Sequence, residues 1–353
     1  MTVTVLTPDR LHAADIATWQ AMQHTTPALA SPFLSPEFTR AVGRHRPTAR
    51  VAVLSDGSGP VGYFPHEHHS LGLGLPIGSG LCDVQGLVHA PGLDWDVRAL
   101  LRACGLRLWR YDHLTAGQRP FDSGVMHRST SPVIDLTTGF DAYLAGLRDR
   151  SPAQVSQLEA KERRLTRRVG ELRLVFEETA PERLETLMRL KSAQYRAKGQ
   201  VDLFAKPAVV ALLHALMRTR STTCTGTLST LYAGDRPVAM HFGLRSGRVL
   251  QYWFPAYDPE AARFSPGLLL LLRMARAAAA QGIEHLDLGK GDERYKQELK
   301  TGDLPLGEGW VTLGTVPAAL RHAQMVSGQK ARALVAGNPV LRRLALKAVN
   351  TRR

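Results

Sequence analysis

A chain of 353 residues is about two domains long on a prior of roughly 150 residues each. With 44% hydrophobic and 22% charged residues it is neither disordered nor fibrous. Its apolar runs, such as residues 268–272, fall far short of the roughly 20 residues that span a bilayer, and its net charge of +14 points to an anionic partner.

The N-terminus carries Asp9 and Asp15 and lacks a basic region followed by an apolar one, so no secretory leader is read there. Cys82, Cys104 and Cys224 are far apart and in no CxxC spacing, which fits small buried residues in a reducing, cytoplasmic setting. Residues 51–63 (VAVLSDGSGPVGY) read as strand, turn, strand, and residues 228–240 (LSTLYAGDRPVAM) read the same way. Pro60 and Pro237 stand 177 residues apart. A helix over residues 97–105 leads into the strand LRLWRYDHL, and a longer helix over residues 267–282 leads into IEHLDLGKG. Leu106 and Ile283 are again 177 apart. One offset at both ends of two such runs argues for duplicated lobes.

Between them, His66-Glu67-His68-His69 offers metal-ligand residue types, but strand alternation turns neighbours to opposite faces and lets at most two converge, so no metal is expected. The glycine-rich LGLGLPIGSG (residues 71–80) lacks GxGxxG spacing and a following helix, and reads as a loop or hairpin. The boundary between lobes falls near residues 130–150. There SPVIDLTTGFDAYL begins a strand and then a helix, giving lobes 1–130 and 131–315 and a basic helical tail 316–353. The expected fold is α/β (α+β): two tandem lobes, each a mixed, mostly antiparallel sheet flanked by helices, with a C-terminal helical tail. The helix over residues 151–169 carries Lys161, Arg164 and Arg168 on one face with Arg163 and Arg167 beside them. Such a ridge is either a solvated face or a contact for tRNA or another polyanion.

The richest stretch is residues 249–299, read as strand, loop, helix, strand. Ser265-Pro266-Gly267 is a helix start, with Ser at the N-cap and Pro at the first helical position. Its amide protons and partial positive charge suit a phosphate, Arg263 adds a full charge, and Gly267 leaves room for a bulky anion. The alternative is a plain helix cap. The strand HLDLGKG buries Leu286 and Leu288 and presents Asp287 and the Gly289-Lys290-Gly291 turn, which does not have P-loop spacing.

These pieces, with SPFLSPEF (residues 31–38), VAMHFGLRSG, WFPAYDPE, FSPGLLLL and LDLGKGDERYKQEL, resemble the CelD-like (BioF2-like) branch of the GNAT acyltransferase superfamily, which is related to the FemABX transferases. The resemblance implies tandem GNAT-like lobes and acyl transfer from a thioester, acyl-CoA, to an amine on a small molecule, sugar or peptide. It places the pantetheine arm between splayed strands and the pyrophosphate at a helix tip. The usual Gln/Arg-x-x-Gly-x-Gly/Ala loop is replaced by Arg263-Phe264-Ser265-Pro266-Gly267, and FemABX relatives use aminoacyl-tRNA, so the carrier stays open.

Direct transfer needs a base, an oxyanion donor and an acid for the thiolate. His241 is the candidate base, with a hydrogen-bonded core histidine as the alternative. Asp287 is a candidate to orient His241 or hold the amine, and Tyr295 or Lys296 to serve the leaving group. Trp253 and Tyr257 are candidates to line the acceptor channel, and Lys290 to join Arg263, Ser265, Pro266 and Gly267 in holding the donor. The first lobe's helix start, LDWDVRALLRACG, is acidic and would repel phosphate, so the second lobe is expected to be the active one. The competing readings are an aminoacyl-tRNA-dependent amide ligase and a non-catalytic module of exopolysaccharide synthesis that touches a membrane through its basic tail.

Overall fold

Hydrophobic alternation and turn residues assemble 13 strands into one sheet in the computed structural model, which describes residues 1–314. The strands are β1 (Thr2–Leu6), β2 (Ala49–Asp56), β3 (Gly59–His69), β4 (Leu73–Pro76), β5 (Val88–His89), β6 (Leu108–Thr115), β7 (Val125–Asp135), β8 (Leu172–Val175), β9 (Thr225–Ala233), β10 (Arg236–Arg245), β11 (Val249–Tyr257), β12 (His285–Asp287) and β13 (Gly302–Thr312). The helices are α1 (Ala13–Thr25), α2 (Pro36–Gly43), α3 (Val97–Ala103), α4 (Phe140–Arg150), α5 (Pro152–Arg168), α6 (Pro181–Ala197), α7 (Pro207–Met217), α8 (Pro266–Ala280) and α9 (Arg294–Leu299). The expected basic tail lies outside the described residues. Among the described residues, no helix is long and apolar enough to cross a membrane.

Strand order is β1-β2-β3-β4-β6-β13-β7-β12-β11-β10-β9-β8, with β5 added beside β3. The order is palindromic about the β13/β7 seam, so the two halves are related by a pseudo-twofold. The offset of 177 runs through it: β3 and β10 begin 177 apart, α3 and α8 end 177 apart, and β7 and β13 match at both ends.

That last pair has crossed over. β7 closes the sequence of the first half yet pairs with β12 of the second, His285 opposite Asp135. β13 closes the second half yet pairs with β6 of the first, Thr312 opposite Leu108. The two are the same register pair, displaced by 177. Residues assigned from sequence to separate lobes therefore share strands.

Alternation along the strands fills both faces. Val51, Val53 and Tyr63 point into a core that also takes Trp19, Phe33, Phe38, Leu212, Phe242 and Phe254, so α1, α2, α6 and α7 cover a face common to both halves. On the opposite face each half has its own core. Phe64, Trp109 and Phe121 pack under α3, and Leu250, Tyr252 and Leu286 pack under α4, α5 and α8. Along α8, Leu270, Met274 and Ala278 repeat at the four-residue spacing and are fully buried. Truncating Leu270 to Ala would cost about 2–5 kcal/mol.

Candidate active site

The site begins where two parallel strands part. β11 and β12 pair only over residues 249–251 and 285–287; β11 then runs on to Tyr257 while the chain after β12 turns away into α9. The cleft so opened has a volume of about 360 Å³. Tyr252, Pro255 and Tyr257 line it from β11, Lys191 and Gln194 from α6, Ser265, Pro266 and Gly267 from the start of α8, and Glu293 and Tyr295 from the far wall.

The helix tip differs from the expected N-cap. Ser265 is left-handed (φ 51°, ψ 50°) and its side chain caps no amide of α8. Instead its Oγ accepts a hydrogen bond from Lys161 Nζ of α5 at 2.8 Å. Pro266 has no amide proton, and the N–H groups of Leu268 and Leu269 donate to the Ser265 carbonyl at 3.0 and 3.3 Å. This leaves the Gly267 N–H without a partner among the described residues. A Cβ added at Gly267 would meet only the Tyr257 ring, at 3.8 Å, so the space over the tip is open. In the first half, α3 is shorter and its tip is filled: Asp96 caps it, accepting from the Ala99 N–H at 2.7 Å.

Lys191 Nζ donates to the Pro255 carbonyl at 2.8 Å, and Gln194 donates to that of Tyr257 at 3.4 Å, so α6 is seated across the open end of β11. Burial, then the nearby Lys198 charge, pulls Lys191 down to about 8. Glu293 is held low: burial works against its charge, but its own backbone N–H and the Lys296 ammonium outweigh that. Burial pushes the phenols of Tyr252 and Tyr295 up, which keeps both protonated as O–H donors.

Five predicted residues therefore meet in the cleft: Tyr257, Ser265, Pro266, Gly267 and Tyr295. Arg263 stands beside it, its guanidinium 4.8 Å from the Phe264 ring, in an adjoining cavity with Lys161 and three arginines of α5.

The others lie elsewhere. His241 is fully buried on the α8 side of the sheet, stacked on Tyr252 with ring centroids 4.6 Å apart, and its Nε2 accepts from the Trp253 N–H at 3.1 Å. Burial lowers its pKa to about 3, so it stands behind the cleft wall as a neutral ring. Gly243 makes room for it at a bulge in β10, where a Cβ would come within 2.5 Å of its Cε1. Asp287 does not reach His241. Its carboxylate accepts from Ser131 Oγ, from Gln251 Nε2 at 3.1 Å and from the Gly289 N–H at 3.0 Å, tying β7, β11 and β12 together. Lys290 is paired with Glu308 at 2.5 Å rather than with a donor site. Lys296 is turned inward, donating to the carbonyls of Gly289 and Lys290 and pairing with Glu293 at 3.0 Å. Trp253 packs edge-on against Phe33 at 5.1 Å, as part of the core.

Sequence reasoning missed Lys191, Gln194, Tyr252 and Glu293. The signal for the first two was present: Lys191, Gln194 and Lys198 recur at the spacing of one helix face. All three cysteines are buried, and burial pushes Cys104 and Cys224 up to about 12. In β3, Glu67 accepts from Arg46 at 2.5 Å and lies 3.3 Å from His69, while His66 is fully buried. Among the described residues no group of three or more ligand side chains converges as a metal site.

Solved structures share this architecture. FemX is 11% identical, with 88% of this chain and 96% of that one covered at a TM-score of 0.57. The C-terminal domain of an Agrobacterium fabrum protein named as a lysylphosphatidylglycerol synthetase is 13% identical over 82% of this chain and 91% of that one, at a TM-score of 0.52. A Bacteroides thetaiotaomicron protein of unknown function is 11% identical over 86% and 98%, at 0.53. No curated protein sequence matches the chain. Residues 153–297, which hold the helix tip and every residue lining the cleft, match the model of the acetyltransferase (GNAT) domain.

Proposed function

We propose that the chain is an N-acyltransferase that moves an acyl group from a thioester carrier, acyl-CoA, to an amine in the cleft of its second half. The observation that carries this reading is the open tip of α8, with its partnerless Gly267 N–H and the Lys161 and Arg263 charges beside it, at the end of a cleft between parting strands. The donor's pyrophosphate lies at that tip and its acyl thioester reaches inward between β11 and Glu293. The Glu293 carboxylate attracts the acceptor's ammonium, neutral Lys191 takes one of its protons, and the freed amine nitrogen attacks the thioester carbon. The C–N bond forms, the tetrahedral oxyanion collapses, the C–S bond breaks, and the thiolate, accepting a hydrogen bond from the Tyr295 or Tyr252 phenol, takes up the second proton that the nitrogen gives up. His241 acts through Tyr252, which it holds in place. The acceptor class is an amine on a small molecule, sugar or peptide.

Calorimetry with CoA and thiol release from acetyl-CoA over an amine panel test this. CoA should bind, Arg263→Glu should weaken it at least about tenfold, and Tyr295→Phe should slow turnover at unchanged affinity. Unchanged binding in Arg263→Glu removes the donor from this tip, and inactivity with every donor leaves a scaffold role.

A second reading, with aminoacyl-tRNA as donor, is favoured by the exposed arginines along α5. It requires RNA binding that weakens steeply with salt.

A further inference from the structure

Three cavities run side by side along α5. One of about 660 Å³ is lined by Arg164, Arg167, Arg168 and Arg263; the next, of about 670 Å³, shares Arg167 and adds Arg163. A third, of about 210 Å³, shares Glu159 and Glu162 with the second and lies between α4, α5 and α8. Its lining is apolar, with Leu158 and Leu269 buried and Leu144 and Leu272 half-buried, and Arg148, Arg273 and Arg276 stand along its rim. The two carboxylates of α5 are drawn to that rim, Glu159 to Arg148 at 3.1 Å and Glu162 to Arg273 at 2.5 Å. The five arginines of the first two cavities therefore join no ion pair among the described residues. Arg163 and Arg167, and Arg164 and Arg168, are one helical turn apart, where like charges repel. Spread over both sides of the helix, they are relieved by an anionic surface of similar extent rather than by one small anion.

The ridge continues into the apolar groove, and an apolar patch rimmed by charge is how protein interfaces are built, here with room for a helix laid in the groove. RNA held along a basic groove commonly stacks its bases on aromatic rings. Among the described residues, the one ring lining the two arginine cavities is that of Phe264, which is 6% exposed. The tip of α8 sharpens the choice. With Pro266 lacking an N–H, and those of Leu268 and Leu269 given to the Ser265 carbonyl, the Gly267 amide alone is left to meet one phosphate group. A phosphopantetheine arm esterified to a protein serine carries one phosphate.

We propose that α5 and the groove between α4, α5 and α8 dock an acidic, helical carrier protein whose phosphopantetheinyl serine lies at the α8 tip. This rests on the reading of the cleft as the donor site and names the thioester carrier as a protein. Carrier carboxylates pair with the guanidinium forks of Arg163, Arg164 and Arg167, and an apolar side of its helix covers Leu144 and Leu272. The transfer itself is unchanged: the amine attacks the same thioester carbon and the arm's sulfur leaves.

The test measures, by calorimetry on the full chain, the binding of free phosphopantetheine and of an acidic acyl carrier protein bearing that arm. An Arg163→Ala/Arg167→Ala variant is compared; both side chains are exposed, so folding should be kept, as a melting curve verifies. The carrier protein should bind at least about tenfold tighter than the free arm, as close charge pairs across an interface allow. In the variant that ratio should fall to near one with affinity for the free arm retained, and Leu144→Gln should weaken the carrier protein while sparing the free arm. Equal affinities in the unaltered protein, or a ratio that survives Arg163→Ala/Arg167→Ala, overturn the inference, while CoA binding that Arg263→Glu weakens keeps the donor reading. Binding of neither CoA, free arm nor carrier protein overturns both. A short RNA that binds tighter than the carrier protein and displaces it, with a steep salt slope, assigns the ridge to RNA and overturns the proposal.

Discussion

Lys161 Nζ donates to Ser265 Oγ at 2.8 Å, fastening the cationic face of α5 to the left-handed residue that opens α8. The bond explains why a serine tolerates that backbone. The position costs an L-residue about 1–2 kcal/mol, and the hydroxyl is used as an anchor rather than a cap.

Ser265→Gly therefore relieves the backbone while cutting the anchor. Thermal denaturation should show stability unchanged or raised by up to about 1 kcal/mol, because glycine's greater freedom when unfolded offsets part of the relief. Calorimetry should show donor affinity lowered. A fall of several degrees in Tm would mean the Ser265 geometry is unstrained.

Gly267→Ala separates folding from binding. Alanine is better than glycine inside a helix by about 1 kcal/mol, and its Cβ meets only the Tyr257 ring at 3.8 Å. Tm should rise while CoA affinity drops roughly tenfold, since the methyl fills the space over the tip. Retained affinity would move the pyrophosphate elsewhere.

Lys191 titrates near 8 rather than 10.5. If its neutral amine is the base, kcat/KM should rise with pH through about 8, and Lys191→Met should flatten the profile and lower the rate by roughly 10²–10⁴-fold. Between pH 8 and 10.5 the unfolded chain holds the extra proton, so Lys191 adds stability as pH rises across that window and detracts from it below. Lys191→Met should accordingly raise Tm at neutral pH. A profile unaltered by the substitution would exclude Lys191 as base.

His66 and His241 are buried neutral, lowered from 6.5 to about 4 and about 3. Below pH 6.5 the unfolded chain takes up protons first, so stability is complete above that value and falls as pH drops toward 4. Each histidine contributes a slope of about 1.4 kcal/mol per pH unit. Urea midpoints followed across that range should show the slope roughly halved in His241→Gln. An unchanged slope would mean His241 titrates as it does when unfolded.

Much of the fold was legible because repetition needs no knowledge of tertiary contacts. The offset of 177 between Pro60 and Pro237 carried over to whole strands and a helix end. The crossing of β7 and β13 was not legible, since alternation tells which residues face inward but not which edge a strand joins. The same limit applies to the site. The tip at Ser265-Pro266-Gly267 and the aromatics Tyr257 and Tyr295 announce themselves by residue type. His241 and Tyr252 differ in no local signal that says which of two stacked rings faces the cleft.

The crossed strands bear on how the chain is made. While the ribosome is still synthesising the second half, β6 has no neighbour on the side that β13 will occupy. Its amides and carbonyls wait until residue 312 has emerged, roughly ten seconds or more at about 5–20 residues per second. The nascent first half is thus an open-edged sheet until its closing strand has been made, and such an edge is a template for pairing with another chain.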